Sequence, residues 1–108
     1  MSPERAADAK QTDPPNAPYV FQFAASYGNF NLSHGQSHDS GLLPSGVTYS
    51  VAETLPAGWV TSSATCTGDD DGTNPAAIVL DPGEVVLCTF VNSRTTSGPL
   101  ATFYLTTP

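Results

Sequence analysis

Pro82-Gly83-Glu84-Val85-Val86-Leu87-Cys88-Thr89-Phe90-Val91-Asn92 opens on a turn dipeptide and continues as an unbroken run of β-formers. Side chains on a strand alternate between its two faces. Val86, Cys88, Phe90 and Asn92 therefore share one face, and Val85, Leu87, Thr89 and Val91 share the other. Apolar on both sides, the segment reads as a central strand of a sheet. Asn92 ends one of its apolar stripes.

Working outward, Val47-Thr48-Tyr49-Ser50-Val51-Ala52-Glu53 alternates in the same way. Val47, Tyr49, Val51 and Glu53 share the apolar face, so Glu53 is aimed inward at its end. Two polar side chains thus terminate two apolar stripes. A buried carboxylate without a partner is costly, so Glu53 needs an interior partner or a place at the wet rim.

Further short runs of aromatic and β-branched residues lie at Tyr19–Ala25, Asn29–Ser33, Trp59–Thr67, Ala76–Leu80 and Ala101–Thr106. Turn-rich clusters separate them, His34–Gly46 and Gly68–Pro75 among others. About seven short strands predict an all-β fold, a two-sheet β-sandwich of immunoglobulin-like architecture. The organisation expected is an N-terminal arm, residues 1–18, that can supply a first strand and ends in a Pro-rich connector. The sandwich follows at 19–94, and an extra strand or linker at 95–108.

Three basic residues against ten acidic ones give a formal net charge of −7. Too few cations are present to neutralise phosphates, which argues against nucleic-acid partners. No apolar run is long enough for a membrane span. Charged residues are only 12% of the chain, and 24 Ser and Thr take their place. With two cysteines, Cys66 and Cys88, this favours an oxidising, extracellular or cell-surface setting. The cysteines sit on separate predicted strands and form either a stapling disulfide or two buried thiols; the disulfide is the expectation.

Other candidates for chemistry are weaker. His34 and His38 lie four apart in a Gly- and Ser-rich loop without a third metal ligand, and read as exposed loop histidines. Asp69, Asp70 and Asp71 form an acidic turn that lacks the spaced acids and distal glutamate of a calcium loop. No cofactor is implied. No nucleophile elbow, triad or phosphate loop is present, so turnover of an external substrate is not expected. One intramolecular reaction fits the inventory. The single lysine, Lys10, held dry against Asn92, can attack its carboxamide if a carboxyl such as Glu53 ferries protons. A Lys10–Glu53 ion pair or a solvated Lys10 is the alternative.

The run Val51-Ala52-Glu53-Thr54-Leu55-Pro56-Ala57-Gly58-Trp59 resembles the V-x-E-T-x-P-x-G-[WY] signature of prealbumin-like, SpaA-like (collagen-adhesin B-type) surface domains. Pro82 to Asn92 is similar to their closing P-G-E-x-V-x-C-T-F-x-N strand. Phe21-Gln22-Phe23, Phe30-Asn31-Leu32 and His34-Gly35-Gln36-Ser37 resemble the opening strands of one bacterial branch. The resemblance covers roughly residues 10–94. It implies a transthyretin-like β-sandwich in surface proteins, and a cross-link from a first-strand lysine to a last-strand asparagine assisted by the glutamate. Lys10, Asn92 and Glu53 match those roles, although Arg5-Ala6-Ala7-Asp8-Ala9 lacks the usual Ile/Val alternation. Three functions follow as expectations: a stalk or display module of an extracellular protein; a pilus-like subunit joined to its neighbours by strand addition of the tail; or an adhesin domain binding a host matrix protein or glycan through its loops.

Overall fold

The computed structural model describes residues 4–15, 17–69 and 71–95. Among the described residues nine strands follow in order: β1 (Arg5–Asp13), β2 (Phe21–Ala25), β3 (Phe30–Leu32), β4 (Ser37–Asp39), β5 (Thr48–Tyr49), β6 (Val51–Thr54), β7 (Trp59–Thr67), β8 (Ile78–Val79) and β9 (Val85–Arg94). They form sheets of order β4-β1-β9-β7 and β3-β2-β6, with a small β5-β8 ribbon. The fold is all-β, as expected. The expected strand at Ala101–Thr106 lies outside the described residues.

β9 is central, between β1 and β7. Its inner face, Val86, Cys88, Phe90 and Asn92, is buried, while Val85 and Leu87 on the other face are exposed. Phe21, Phe23, Leu32 and Val51 from the three-stranded sheet, Trp59 from β7, Tyr49 and Ile78 from the ribbon, and Leu80 just after it close the core. Trp59 packs edge-on to Phe21 at 5.2 Å, and Phe23 edge-on to Phe90 at 5.1 Å, geometries aromatic rings prefer.

β1 lies in the N-terminal arm that the sequence allows to supply a first strand. It runs parallel to β9 over nine residue pairs, from Arg5↔Val85 to Asp13↔Ser93, and so extends into the Pro-rich stretch read as a connector. Its inward residues are Ala6, Asp8, Lys10 and Thr12, all buried. Such a face carries no hydrophobic alternation, so the strand leaves no signal in composition. β4 lies within the turn-rich cluster His34–Gly46, where the sequence predicts no strand; its three residues pair antiparallel with Ala7, Asp8 and Ala9.

The segment 47–53 is broken at Ser50. Its first half pairs with β8 and its second with β2. At the break Ser50 N–H donates to Ser26 Oγ, and Ser50 O accepts from Ser26 N–H. Tyr49 and Val51 are buried as expected, but Val47 is exposed.

Cys66 and Cys88 form a disulfide between neighbouring strands of one sheet, with Cα atoms 3.8 Å apart. The Cys66 amide donates to Thr73 O at 2.9 Å rather than across to Cys88. The two cysteines are therefore a non-hydrogen-bonded pair, in which facing side chains come closest. Just beyond, Gly68 has φ +91°, and a Cβ there would lie 2.3 Å from Val85 O. Glycine is required at that position both by conformation and by space.

Candidate functional site

Three strands bring Lys10, Glu53 and Asn92 together. Lys10 and Asn92 leave the inner faces of neighbouring parallel strands, offset by two residues, because Asn92 pairs with Thr12 and Lys10 with Phe90. Glu53 comes from β6 in the opposite sheet. Lys10 Nζ lies 3.3 Å from Glu53 Oε2, with the two side chains 0% and 4% exposed. The same nitrogen contacts Asn92 Oδ1 and donates to Gln11 O at 3.1 Å. Its fourth neighbour is the Phe21 ring, 4.1 Å from the centroid. A cation on an aromatic face is attracted by the ring quadrupole.

The Asn92 carboxamide is oriented from its other end. Nδ2 faces Val60 O at 3.4 Å and Thr61 Oγ1 at 3.5 Å, both on β7. Oδ1 is thereby turned to Lys10. Neither oxygen of Glu53 accepts an aligned hydrogen bond from the described residues. Burial holds the Lys10 amine below the ordinary lysine range, with Glu53 beside it acting in the opposite direction. A dry amine with lowered proton affinity, a carboxyl within reach and an oriented carboxamide can together support attack of nitrogen on the carboxamide carbon. The Lys10–Glu53 ion pair raised as the alternative in the sequence is present in the same geometry.

A second interior polar cluster has no counterpart in the sequence reading. Asp8, two residues before Lys10 on the same face of β1, is fully buried. Tyr27 Oη donates to its Oδ2 at 2.8 Å. His38, its cross-strand partner on β4, places Nδ1 3.9 Å from the same oxygen. Asp8 Oδ1 and His38 Nδ1 have no hydrogen-bond partner among the described residues. Burial pushes the Asp8 carboxyl up to about 6, partly offset by the Tyr27 hydrogen bond, and pushes the Tyr27 phenol up as well. The His38 ring stacks on Phe30 at 3.9 Å. The one available signal was the parity of Asp8 with Lys10.

The histidines are half-buried rather than exposed. His34 Nδ1 accepts from Thr12 N–H at 2.9 Å, while His38 belongs to β4. The two do not converge. Of the acidic turn, Asp69 spends its carboxylate on the amides of Asp71 and Val79, at 2.9 and 3.1 Å; Asp70 lies outside the described residues. Concave surface occurs on the outer side of β2 and β6, in a shallow groove of about 180 Å³ lined by Tyr19, Val20, Gln22, Thr54 and Pro56. The loops expected to carry a ligand face do not line it.

The family model of the prealbumin-like fold domain matches residues 9–94. Among solved structures, the major pilin protein T-13 of Streptococcus pyogenes is similar, with a TM-score of 0.63 at 15% identity. The match covers 88% of this chain and 46% of that one, so the chain spans about half the length of the pilin. No curated protein sequence matches significantly.

Proposed function

The chain belongs to the prealbumin-like fold domain family, and on that premise we propose that it is a structural module of an extracellular bacterial surface protein, stapled by its disulfide and by a Lys10–Asn92 isopeptide bond. The observation that supports this reading is the convergence of Lys10, Glu53 and Asn92 in a dry interior.

The reaction begins with proton transfer from the Lys10 ammonium to Glu53, leaving a neutral amine and a carboxylic acid. Nζ attacks Asn92 Cγ. Glu53 passes the proton it holds to Nδ2 and takes up the one that Nζ sheds. The Cγ–Nδ2 bond breaks, ammonia leaves, and an Nζ–Cγ amide remains. The second proton departs with the ammonia as ammonium. Nδ2 already faces Val60 O and Thr61 Oγ1, which hold the leaving group away from the attacking nitrogen. Water exclusion by Phe21 and Trp59 favours amide over hydrolysis.

The mechanical consequence is specific. A bond between residues 10 and 92 carries tension past everything between them, and the two residues sit on adjacent parallel strands. Pulled from its ends, the linked chain cannot extend through that span. Single-molecule stretching of the wild type should give almost no added contour length below bond-rupture forces. A Lys10→Ala chain should unfold through its sandwich. Full extension of the wild type would rule out a load-bearing staple.

A pilus-like fibre is the second reading. It is supported by the likeness to a major pilin and by β7, an edge strand of nine residues among the described ones. Exposed edges accept added strands. Concentration-dependent assembly that vanishes on removal of residues 96–108 would favour it; a monomer with and without the tail would exclude it.

A further inference from the structure

The segment His34-Gly35-Gln36, set apart in the sequence but unused in the reaction above, grips the lysine strand. Lys10 N–H donates to Gln36 O at 3.1 Å, and Lys10 O accepts from Gly35 N–H at 2.9 Å. Two residues on, Thr12 N–H donates to His34 Nδ1 at 2.9 Å. The turn itself is closed by Gln36 N–H to Ser33 O at 3.0 Å and Ser33 N–H to Gln36 Oε1 at 2.8 Å. Gly35, at φ +81°, supplies its left-handed residue.

This grip matters because of what β1 lacks. Register is fixed most firmly where one face of a strand is apolar and buried, and a one-residue slip turns every side chain to the other face. Three of the four inward residues of β1 are Asp8, Lys10 and Thr12. Burial alone therefore holds its register weakly, and a slip would point Lys10 at solvent. The hydrogen bonds on its two edges must do that work. Along the edge away from β9, near Lys10, they come from the 34–36 turn.

We propose that the His34–Gln36 turn is a register clamp for the Lys10 strand, and that it closes only while His34 is neutral, so that cross-link formation is acid-sensitive through this histidine. A backbone N–H points in a fixed direction, so Thr12 demands a bare Nδ1, and the imidazole proton must sit on Nε2. Protonation would set a ring N–H against the Thr12 N–H, leaving Thr12 Oγ1, 3.2 Å from Nδ1, as the one acceptor it could turn to at the expense of the backbone bond. Thr12 is the register partner of Asn92, so fraying there displaces the lysine strand beside its target. His34 takes part in no ion pair among the described residues. The charged groups of β1 nearest it are Lys10, on the same inner face as Thr12, and Asp13, on the exposed one; Glu53 lies beyond Lys10. Asp8 sits farther back along β1, beside His38 of β4.

This inference rests on the cross-link reading for its rate readout but not for its geometry. Chain recovered unlinked from urea is diluted into oxidising buffer at several pH values, and intact mass is followed with time. Linkage in the wild type should be about tenfold slower at about pH 5.5 than at about pH 7.5, the span in which imidazoles charge. His34→Asn keeps an acceptor oxygen near the Nδ1 position and cannot titrate, so it should link at the wild-type rate at neutral pH and lose most of the acid slowing. His34→Ala should be slow throughout. An unchanged acid profile in His34→Asn overturns the clamp. Independently, nitrogen chemical shifts of His34 should report the Nε2–H tautomer, and the Thr12 amide should resist hydrogen exchange. An Nδ1–H tautomer overturns the clamp whether or not the bond forms. Absence of linkage in the wild type at every pH would instead defeat the cross-link reading, leaving the clamp to be judged on these two signals.

Discussion

Lys10 Nζ and Glu53 Oε2 face each other at 3.3 Å across the two sheets, with neither side chain in appreciable contact with water. An isolated buried pair of this kind contributes little net stability, because desolvation offsets attraction. Removing one partner is costly, since the other is left charged and dry. The arrangement therefore has a stronger chemical than energetic rationale.

Glu53→Gln removes the proton carrier while keeping shape. Intact mass after reduction should then equal the sequence mass, with the all-β circular dichroism retained. Loss of the buried counter-charge should also lower stability in urea by roughly 3 kcal/mol relative to an unlinked reference such as Asn92→Ala. A linked Glu53→Gln chain would remove Glu53 from the mechanism.

Asp8 gives the pH dependence a definite sign. Its carboxyl is raised from 3.8 to about 6 on folding. Between about pH 4 and 6 the folded chain holds a proton that the unfolded chain has lost, so stability falls as pH rises through that window and levels off above it. The drop is about 3 kcal/mol as an order of magnitude. Asp8→Asn keeps an acceptor for Tyr27 and should flatten the decline, leaving the variant more stable than wild type at neutral pH. Urea midpoints measured across the window check this, and an unaltered slope would count against Asp8.

Much of the sandwich was legible because its strands state their burial in apolar residues. β9 and β7 follow the alternation of Val86, Cys88 and Phe90 and the Trp59 to Cys66 run. β1 was not, since Ala, Asp, Lys and Thr on its inner face look like a solvated arm; Lys10 stood out as the single lysine and through the family resemblance, not through any strand pattern. The break at Ser50 was hidden because alternation survives it: Tyr49, Val51 and Glu53 still point inward while their strands belong to different sheets. Asp8 with Tyr27 and His38 stayed invisible, because a hydrogen bond from a turn tyrosine to a strand residue 19 positions away leaves no periodic trace.

Removing the disulfide by Cys66→Ala with Cys88→Ala should cost about 3 kcal/mol through the unfolded-state loop it closes. Thermal unfolding of the pair variant against the wild type gives the figure. In a linked chain the cost should shrink, because the 10–92 bond already encloses that loop; equal costs with and without the Lys10–Asn92 bond would contradict this nesting.

At Gly68 an added methyl meets the Val85 carbonyl at 2.3 Å, in a backbone conformation that side chains rarely adopt. Gly68→Ala should therefore destabilise by about 2–4 kcal/mol. Gly28→Ala serves as a control: it also has positive φ but nothing within 4 Å, so it carries only the conformational part. Equal losses at the two sites would show that the close approach to Val85 is unimportant.

Intact mass of the folded wild-type chain, before and after full reduction, tests the staple most directly. The linked chain should show a deficit of about 19 Da before reduction and about 17 Da after it, for two hydrogens and one ammonia and then for ammonia alone. A reduced mass equal to that of the sequence would contradict it.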